Sequence, residues 1–589
     1  MTFKALFSKL YPLTNHGEVQ FMAYLTKKKV KGITYYYAEE THRVNGKPKR
    51  KWQKYLGPLT KIIAAVDGQR ENPNCAEIFQ LGGAAAYWNI VQEMNMISIF
   101  ENNFPKRAQG LSVGFYLVLA AINRGLDAVS KRAMWSWFQN TIFLRQFPEV
   151  NKESLSSQRF WDNISTIKEH KIVPSWMSII NHVLDHENID LSCTSFDGTN
   201  FYSFIGSFNT RCSIAKRGKN KQGRRDLRQI NYALFCTRND HIPLYFDVFE
   251  GNRHDSKEFK IIIDKFFKEF AKRKPDKKGM TIVFDKGNNS QDNINKFTEG
   301  SGFHFVGSVK VDDHKDLSLI SNQDERFKAC DSPKLEEVKA FRVTKTIYNK
   351  ELTVVITFNN NLYATQLQSI NNEINKCLDK LSSLSEKLAD RKAGRITKGK
   401  TPTAESIKKQ TAKILSGQYM KKLIEIKIED KNKIPTLEYK VNNAELDELA
   451  DTYLGKNIII TDNHDWSNDD IILTYRSQYV IEGAFKEMKD RKTGSWWPMY
   501  HWTDQKIKVH GLYCSLSLLI RALIMKAVKE AELEMSMNKL HRELSGIREI
   551  LNIFSAGKKK ESRHSVVSKM NEVQKKLFDT FEMNKYIMS

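Results

Sequence analysis

Thr-Ile-Val-Phe-Asp-Lys-Gly (281–287) is the stretch that decides the fold, because a short apolar run ends there at a single acid, Asp285. Such a run predicts a buried strand that presents its last side chain at a sheet edge. Ser-Phe-Asp-Gly-Thr (195–199) has the same pattern around Asp197. A third acid, Glu482, lies in an amphipathic helical pattern. Carboxylates are hard oxygen ligands, so the three acids predict one metal site.

The region around the two aspartates predicts a definite order of elements: strand, strand, strand, helix, strand, helix, strand. The predicted strands are 193–197, 229–237, 242–249, 281–285 and 303–309, and the helices are one that starts at 255–256 and one at 290–297. This order matches the ribonuclease H-like α/β fold, in which the first and fourth strands are neighbours. Asp197 and Asp285 are therefore expected to lie side by side.

The composition indicates a partner of negative charge. The chain has 589 residues and a formal net charge of +25, and the excess is spread along the sequence. Basic stretches contain aromatic residues, as in 47–55, which favours nucleic acid over a charge that serves solubility alone.

No disulfide framework, zinc site or membrane segment is expected. The seven cysteines are scattered without CxxC spacing. No apolar segment followed by a cleavage site marks the N-terminus as a secretory signal. The longest apolar stretch, 511–527, is interrupted by Ser515, Ser517 and Arg521 and is expected to fall short of a membrane span. These features indicate an intracellular soluble protein.

The length predicts several domains. Residues 32–57 alternate like strands around Asn-Gly (45–46), which predicts a basic hairpin. The pattern from 77 to 185 is helical. The predicted divisions are a hairpin region (1–60), a helical DNA-end-binding domain (61–188), a catalytic core (189–310 and 456–530), an inserted α+β domain (311–455) and a C-terminal helical region (531–589).

The insertion explains why Glu482 follows so long after Asp285, since no simple connection needs that length. It contains a strand-like stretch (342–358) and then an apolar repeat, Leu367, Ile370, Ile374, Leu378, Leu381 and Leu384. The repeat is too short for sustained heptads, so it predicts a packing face rather than a dimer zipper. Residues 456–462 are expected to return to the core as a strand.

Several segments, taken in order, resemble the DDE-type transposases of bacterial insertion sequences, in the group with a β-rich insertion between the second Asp and the Glu. The resemblance covers most of the chain. The segments that carry it are Tyr-Leu-Gly (55–57), 106–114, Asp-Gly-Thr (197–199), 224–229, 250–256, Phe-Asp-Lys-Gly (284–287) and 497–510. Each is a weak signal alone, but their joint order makes chance similarity improbable.

The family motif around the glutamate is matched with one departure. The motif consists of Tyr, two residues, Arg, three residues, Glu, six residues and Lys, and Tyr475, Glu482 and Lys489 hold their positions. Gln478 stands where the arginine is expected, which puts one phosphate contact in doubt. The spacing of seven predicts that the three matching residues share one helical stripe. A salt-bridged helix face, with Lys486 at i+4 from Glu482, is the alternative.

The resemblance implies DNA cleavage by activated water, followed by strand transfer from the freed 3′-hydroxyl. Two Mg²⁺ ions, with Mn²⁺ as an alternative, would be held by Asp197, Asp285 and Glu482, and Asp197 would bridge them. The predicted DNA-binding residues are Tyr475, Gln478, Lys489, Arg225, Arg228, Lys286 and Trp497. Asp226 is expected to be the structural partner of Arg225 and Arg228. The basic segment 216–228 is as readily a disordered charged loop, and Trp496, Trp497 and Trp502 more often indicate packing than base stacking.

The expected partner is double-stranded DNA, namely the element's terminal inverted repeats and its target. Paired ends imply a homodimer, in the cytoplasm and associated with the nucleoid. Two alternatives stay open. One is a DNA-binding protein descended from a transposase and no longer catalytic, and the other is a structure-selective nuclease of the same fold.

Overall fold

A computed structural model describes residues 23–44, 47–66, 73–104, 110–218, 223–224, 226–253, 255–271, 279–430, 434–494, 496–554 and 562–588. The chain forms two compact units. The first comprises Met1–Phe79, Arg548–Ser568 and Ile587–Ser589, and the second comprises Gln80–Ile547 and Lys569–Tyr586.

The first unit is built mainly from two small antiparallel sheets. One consists of β1 (Ala23–Val30), β2 (Ile33–Val44) and β3 (Lys47–Pro58), followed by helix α1 (Leu59–Val66). The other consists of β4 (Cys75–Gln80), β17 (Arg548–Phe554) and β18 (Ser562–Val567). The predicted hairpin is present as β2 and β3, and its turn at 45–46 lies outside the described residues. The sequence analysis missed β1, whose lysine run at 27–29 hides the alternation.

The C-terminal region is not helical throughout, which corrects the prediction for 531–589. It contains α19 (Met537–Gly546) and α20 (Glu572–Thr580), but β17 and β18 lie between these helices. Strand β17 alternates, with Glu549, Leu551 and Ile553 buried. This period of two fits a strand with one covered face.

The second unit begins with the predicted helical region. Its helices are α2 (Gly82–Glu93), α3 (Met96–Asn103), α4 (Val113–Leu126), α5 (Met134–Phe138), α6 (Phe143–Gln146), α7 (Ser157–Ser165) and α8 (Ile172–His186). Ser112 caps the N-terminus of helix α4, and its hydroxyl accepts a hydrogen bond from the Phe115 amide at 3.1 Å. Almost every residue of α4 is buried, so it forms the centre of this region.

A ten-stranded mixed sheet forms the core of the second unit. Its strands are β5 (Cys193–Ser203), β6 (Lys216–Arg217), β7 (Arg228–Thr237), β8 (Pro243–Glu250), β9 (Met280–Val283), β10 (Phe303–Val309), β11 (Lys328–Ala329), β12 (Val338–Ile347), β13 (Lys350–Asn359) and β16 (Lys456–Thr461). The order is β11-β12-β13-β16-β10-β9-β5-β7-β6, and β8 also pairs with β7. Strand β9 is parallel to both β5 and β10. The first and fourth strands of the predicted order, β5 and β9, are therefore neighbours.

Helices cover both faces of this sheet. Helix α9 (Asp255–Phe270) packs on one face, where Phe259 contacts Phe196 and Phe284 with ring centroids 4.8 and 4.9 Å apart. Helix α10 (Gln291–Thr298) follows β9, and the short α11 (Lys315–Ser318) follows β10. The other face carries α16 (Asn468–Arg476), α17 (Tyr479–Lys489) and α18 (Asp504–Glu530).

The predicted insertion is divided between two places. Its strand-like stretch is a hairpin, β12 and β13, whose turn residues Tyr348 and Asn349 have φ of 53° and 57°. Because β13 pairs with β16, this hairpin extends the central sheet rather than belonging to a separate module.

The remainder of the insertion has a core of its own. It contains α12 (Asn360–Lys392), α13 (Ala404–Ile414), α14 (Met420–Leu423), β14 (Ile424–Glu429), β15 (Thr436–Val441) and α15 (Asn443–Thr452). Ile374 and Leu381 are buried there, and the other four members of the apolar repeat pack against this core. The prediction of a packing face is confirmed.

Helix α18 contradicts the expectation that the apolar stretch 511–527 falls short of a membrane span. Within the described part of the chain, this helix is long and apolar enough to cross a membrane, and 83% of its most apolar window is buried inside the fold. A bent pair, Val113–Leu126 with Lys131–Phe138, would pass as a second span only if counted as one helix. The burial of α18 accounts for its apolar composition, because core helices have the same pattern.

Candidate active site

Three polar residues form a row across three neighbouring parallel strands. Ser195 of β5 is in register with Val283 of β9, and Val283 is in register with Val306 of β10. Asp197, Asp285 and Ser308 each lie two residues after one of these, namely Ser195, Val283 and Val306. Neighbouring strands are about 4.8 Å apart, so the row places the two aspartates side by side at the end of the parallel pairing.

Both aspartates project from the same face of the sheet. Successive strand residues alternate between faces, so Asp197 shares the face of Ser195 and Asp285 that of Val283. The backbone at Asp285 is extended, with φ −77° and ψ 154°, which preserves the alternation just past the end of β9. Phe284 contacts α9 on the opposite face. The carboxylates therefore point toward the face that carries α16 and α17.

Asp197 lies within its strand, which corrects the prediction that the strand ends there. Strand β5 continues to Ser203 because it pairs with β7 along its whole length, from Thr194 with Thr237 to Ser203 with Arg228. The parallel pairing with β9 ends at Ser195. Asp197 is thus at an internal edge, where one neighbouring strand stops and the other continues.

Glu482 is brought to this edge by a helix that crosses β5. Just before the start of α17, Ser477 accepts a hydrogen bond from the Ser195 hydroxyl at its carbonyl oxygen, at 3.2 Å. At the end of α17, the Lys489 ammonium donates to the Thr199 hydroxyl at 2.6 Å. Ser195 and Thr199 flank Asp197 on one face of the strand. Glu482 lies between the two helical contacts and therefore over the part of β5 that holds Asp197.

Tyr475 lies close to both Asp285 and Glu482. Its hydroxyl donates a hydrogen bond to the Ser308 hydroxyl at 2.8 Å, so the phenol lies over the third member of the row. Burial raises the pKa of Tyr475, and the negative charges of Asp285 and Glu482 raise it further. Both carboxylates are thus close enough to act electrostatically on one phenol.

The environments of the acids suit binding of an external group. Asp285 and Glu482 are exposed. Neither carboxylate makes a hydrogen bond or ion pair with another side chain among the described residues, and the alternative pair between Glu482 and Lys486 is not formed. Asp197 is half-buried, and its Oδ1 accepts a hydrogen bond from the Gly198 amide at 2.7 Å. Glu482 lies in the first turn of α17, where the helix dipole favours a negative charge.

The carboxylates do not form a complete metal cage by themselves. In the described part of the chain, no group of three or more His, Cys, Asp and Glu side chains is placed to hold a metal ion. Two neighbouring carboxylates still fit Mg²⁺, which is usually bound through one or two of them together with substrate phosphates and water. The donor set fits an ion whose remaining ligands come from a phosphate-bearing substrate.

The predicted helical stripe is interrupted. Tyr475 belongs to α16, whereas Glu482 and Lys489 belong to α17, and the break falls at Ser477 and Gln478. Gln478 is half-buried, and its carbonyl accepts the Glu482 amide at 3.3 Å. The single seven-residue stripe was therefore a wrong prediction, although both helices lie on the same face of the sheet.

The residues predicted to bind DNA have varied surroundings, and their role stays a prediction. The Lys489 ammonium contacts Thr199 and lies 5.9 Å from the centroid of the Phe201 ring. Trp497 donates from its indole N–H to the Tyr202 carbonyl at 3.2 Å. Lys286 is exposed and follows Asp285 directly.

Two residues of the predicted basic segment 216–228, Asp226 and Arg228, also have partners within the protein. The Arg228 guanidinium donates to the carbonyls of Ser207 and Asn209, at 2.6 and 3.1 Å. Asp226 pairs with Arg224 at 3.2 Å, which corrects the prediction that Arg228 is its partner. Arg225 lies outside the described residues.

Sequence reasoning missed Ser308 and Thr199. Ser308 is the third member of the row, and Thr199 receives the end of α17. Ser308 is a single hydroxyl in a largely apolar and aromatic strand, and Thr199 is one of several hydroxyls in β5, so each is a weak signal. Only the strand register shows that each stands beside an acid.

Paired carboxylates at an internal edge of a mixed sheet suit a divalent metal ion that is shared with a phosphate group. The sequence comparison identifies the family. Residues 192–518 match the family model described as the transposase DDE domain. Because this match spans more than half of the chain, the protein belongs to the DDE transposase family, as the resemblance indicated. Transposases of this family use divalent metal ions.

No curated protein matches the chain. Among solved structures, the chain is similar to one described as the cryo-EM structure of the piggyBac transposase synaptic complex with hairpin DNA. The identity is 7% and the TM-score is 0.35, with coverage of 80% of this chain and 82% of that chain.

Proposed function

We propose that this protein binds the terminal inverted repeats of an insertion sequence, as a homodimer on paired ends, and catalyses metal-dependent DNA strand cleavage and strand transfer. The catalytic core would be ribonuclease H-like. The observation that carries the proposal is the strand register, which aligns Asp197 with Asp285 beneath the helix of Glu482. Family membership and the net charge of +25 support a DNA substrate.

The roles of the chain's own residues follow from their surroundings. Asp197 and Asp285 would hold divalent metal from the sheet, and Glu482 would complete the set from α17. Bound Mg²⁺ or Mn²⁺ supplies Lewis-acid stabilisation of the attacking and leaving oxygens. Tyr475 is fixed on Ser308 and closes the side of the site next to β10. Lys489 holds α17 against β5 through Thr199 and places positive charge beside the acids.

The test is a reaction of purified protein with a duplex that carries the element end, in Mg²⁺ or Mn²⁺. The wild type is expected to cleave at the element end and to join the freed 3′-hydroxyl to target DNA. Asp285→Asn is expected to bind the same DNA but to lose cleavage, because it loses a ligand charge.

Asp292→Asn is the matched control, since Asp292 is an exposed acid nearby that pairs with Lys260 at 2.7 Å. It is expected to cleave like the wild type. Binding by the wild type without cleavage would indicate a non-catalytic DNA-binding protein, and cleavage without joining would indicate a nuclease. Unchanged cleavage by Asp285→Asn would refute the assignment of this acid.

A further inference from the structure

The loop that follows β5 holds two phenylalanines in solvent. Phe204 is 69% exposed and Phe208 is 99% exposed. Burial of such a side chain normally stabilises a fold, and neither ring is buried in this one. Large exposed apolar side chains that are grouped together mark binding sites more often than isolated ones do.

The loop is nevertheless well anchored. Arg228 donates to the carbonyls of Ser207 and Asn209, on either side of Phe208. The Asn209 side chain donates to the Trp502 carbonyl at 3.0 Å. Arg217 donates to the Ser207 hydroxyl at 3.2 Å. The backbone on both sides of Phe208 is thus fixed, and its ring is presented at a defined place.

Phe204 is the outer member of an aromatic ladder formed by Phe204, Tyr202 and Trp497. The rings of Phe204 and Tyr202 meet edge to face, with centroids 5.6 Å apart. Tyr202 stacks on Trp497 at 4.7 Å. Arg491 donates to the Tyr202 hydroxyl at 2.7 Å, and the Arg224 guanidinium lies 5.7 Å from the same ring. The ladder combines aromatic faces with positive charge.

The charge around the ladder favours a polyanion over a protein partner. Arg224 is paired with Asp226. Arg211, Arg217, Arg228 and Arg491 lie on the elements that bear or anchor this surface, and none of these four has a carboxylate within ion-pair distance among the described residues. Proteins that bind single strands combine cationic grooves with aromatic rings on which bases stack. Paired bases already stack on each other, so an exposed ring can receive a base only where the duplex is open.

We propose that the surface formed by Phe204, Phe208 and the arginines around them binds unpaired nucleotides of the DNA strand that is processed at the carboxylates. This inference rests on the proposed function, because it takes the substrate to be DNA opened near Asp197. Tyr202 lies near the end of β5 and Phe204 just past it. Arg491, which donates to Tyr202, follows Lys489, which donates to Thr199 beside Asp197, so the surface lies next to the carboxylate site.

The test measures DNA binding in EDTA, so that cleavage plays no part. The probes are a thymidine oligomer of about 12 nucleotides and a blunt duplex of about 20 base pairs. The double variant Phe204→Ala, Phe208→Ala is expected to lose about tenfold or more in affinity for the oligomer, with less than about a twofold change for the duplex. Phe204→Trp with Phe208→Trp is expected to restore binding, because stacking needs a π face.

Leu319→Ala is the control for loss of exposed apolar area, since Leu319 is 48% exposed and lies outside this surface. It is expected to bind both probes like the wild type. Equal losses for the two probes, or no loss for the oligomer, would overturn the proposal. Loss of self-association in light scattering with unchanged oligomer binding would also overturn it, in favour of a protein interface. Because binding is measured in EDTA, where the carboxylates cannot cleave, a loss of oligomer affinity in the double variant is independent of the catalytic proposal.

Discussion

The two ends of the central strands carry carboxylates in opposite environments. At the start of β10, Asp462 accepts hydrogen bonds from the His304 ring at 2.9 Å and from the Phe305 amide at 2.8 Å. Past the end of β9, Asp285 is exposed and has no such side-chain partner in the described part of the chain. A carboxylate whose oxygens are occupied holds the sheet together, whereas one whose oxygens are open is available to a ligand.

The largest contrast between variants is expected on α17. This helix carries Glu482, which is assigned to metal binding, and Glu487, which pairs with Arg521. Glu482→Gln should reduce cleavage of element-end DNA by about a hundredfold or more, since a metal ligand supplies several kcal/mol to the transition state. Its free energy of unfolding should change by less than about 0.5 kcal/mol, as for other surface substitutions. Single-turnover cleavage and urea unfolding measure the two effects.

Glu487→Gln is the inverse control on the same helix. Glu487 pairs with Arg521 at 3.3 Å, and the Arg521 side chain is only 3% exposed. The substitution should lower stability by about 1–3 kcal/mol because a buried cation loses its partner. Cleavage per folded molecule should stay near the wild-type value. A variant that loses cleavage without losing stability would contradict the division of roles on this helix.

Asp462→Ala is expected to affect stability and not catalysis. The variant leaves the Phe305 amide and the His304 ring without their acceptor, which should cost about 1–3 kcal/mol in urea unfolding. The folded fraction should cleave DNA at the wild-type rate. If cleavage fell while the unfolding midpoint stayed constant, the two ends of the strands would not differ as described.

The smallest expected effect is a pH dependence of stability at the end of the strands where Asp462 pairs with His304. The hydrogen bond to Asp462 raises the pKa of His304 above its usual value, and the attraction of the Asp462 charge adds to this effect. This contribution is fully present below the unfolded pKa of about 6.5 and is lost as pH rises through the folded value. The stability difference between wild type and His304→Gln should therefore shrink from pH ~6 to pH ~8. A difference that grew with pH would contradict the pairing.

Local patterns predicted much of the core. The apolar runs that end near Asp197 and Asp285 predicted strands, because buried strands have a recognisable composition. The repeat that includes Ile374 and Leu381 predicted a packing face for the same reason. These inferences depend only on residues close together in sequence.

The features that sequence reasoning missed depend on distant partners. Strand β5 extends past Asp197 because β7 pairs with it, and the helical stripe is interrupted at Ser477 and Gln478, between α16 and α17. Ser308 joins the row only through the register of β10 with β9. Strands β17 and β18 were not predicted, because they form one small sheet with β4, which is distant from them in the sequence.

The most direct test of the central claim is Mn²⁺ binding measured by electron paramagnetic resonance, with and without element-end DNA. The described residues include acids in register but no complete set of metal ligands, so strong binding should require DNA, whose phosphate supplies the remaining ligands. Asp197→Asn and Asp285→Asn should each abolish the DNA-dependent signal, while Asp292→Asn should retain it. Equal Mn²⁺ binding by wild type and both aspartate variants would contradict the account, as would tight binding by the wild type in the absence of DNA.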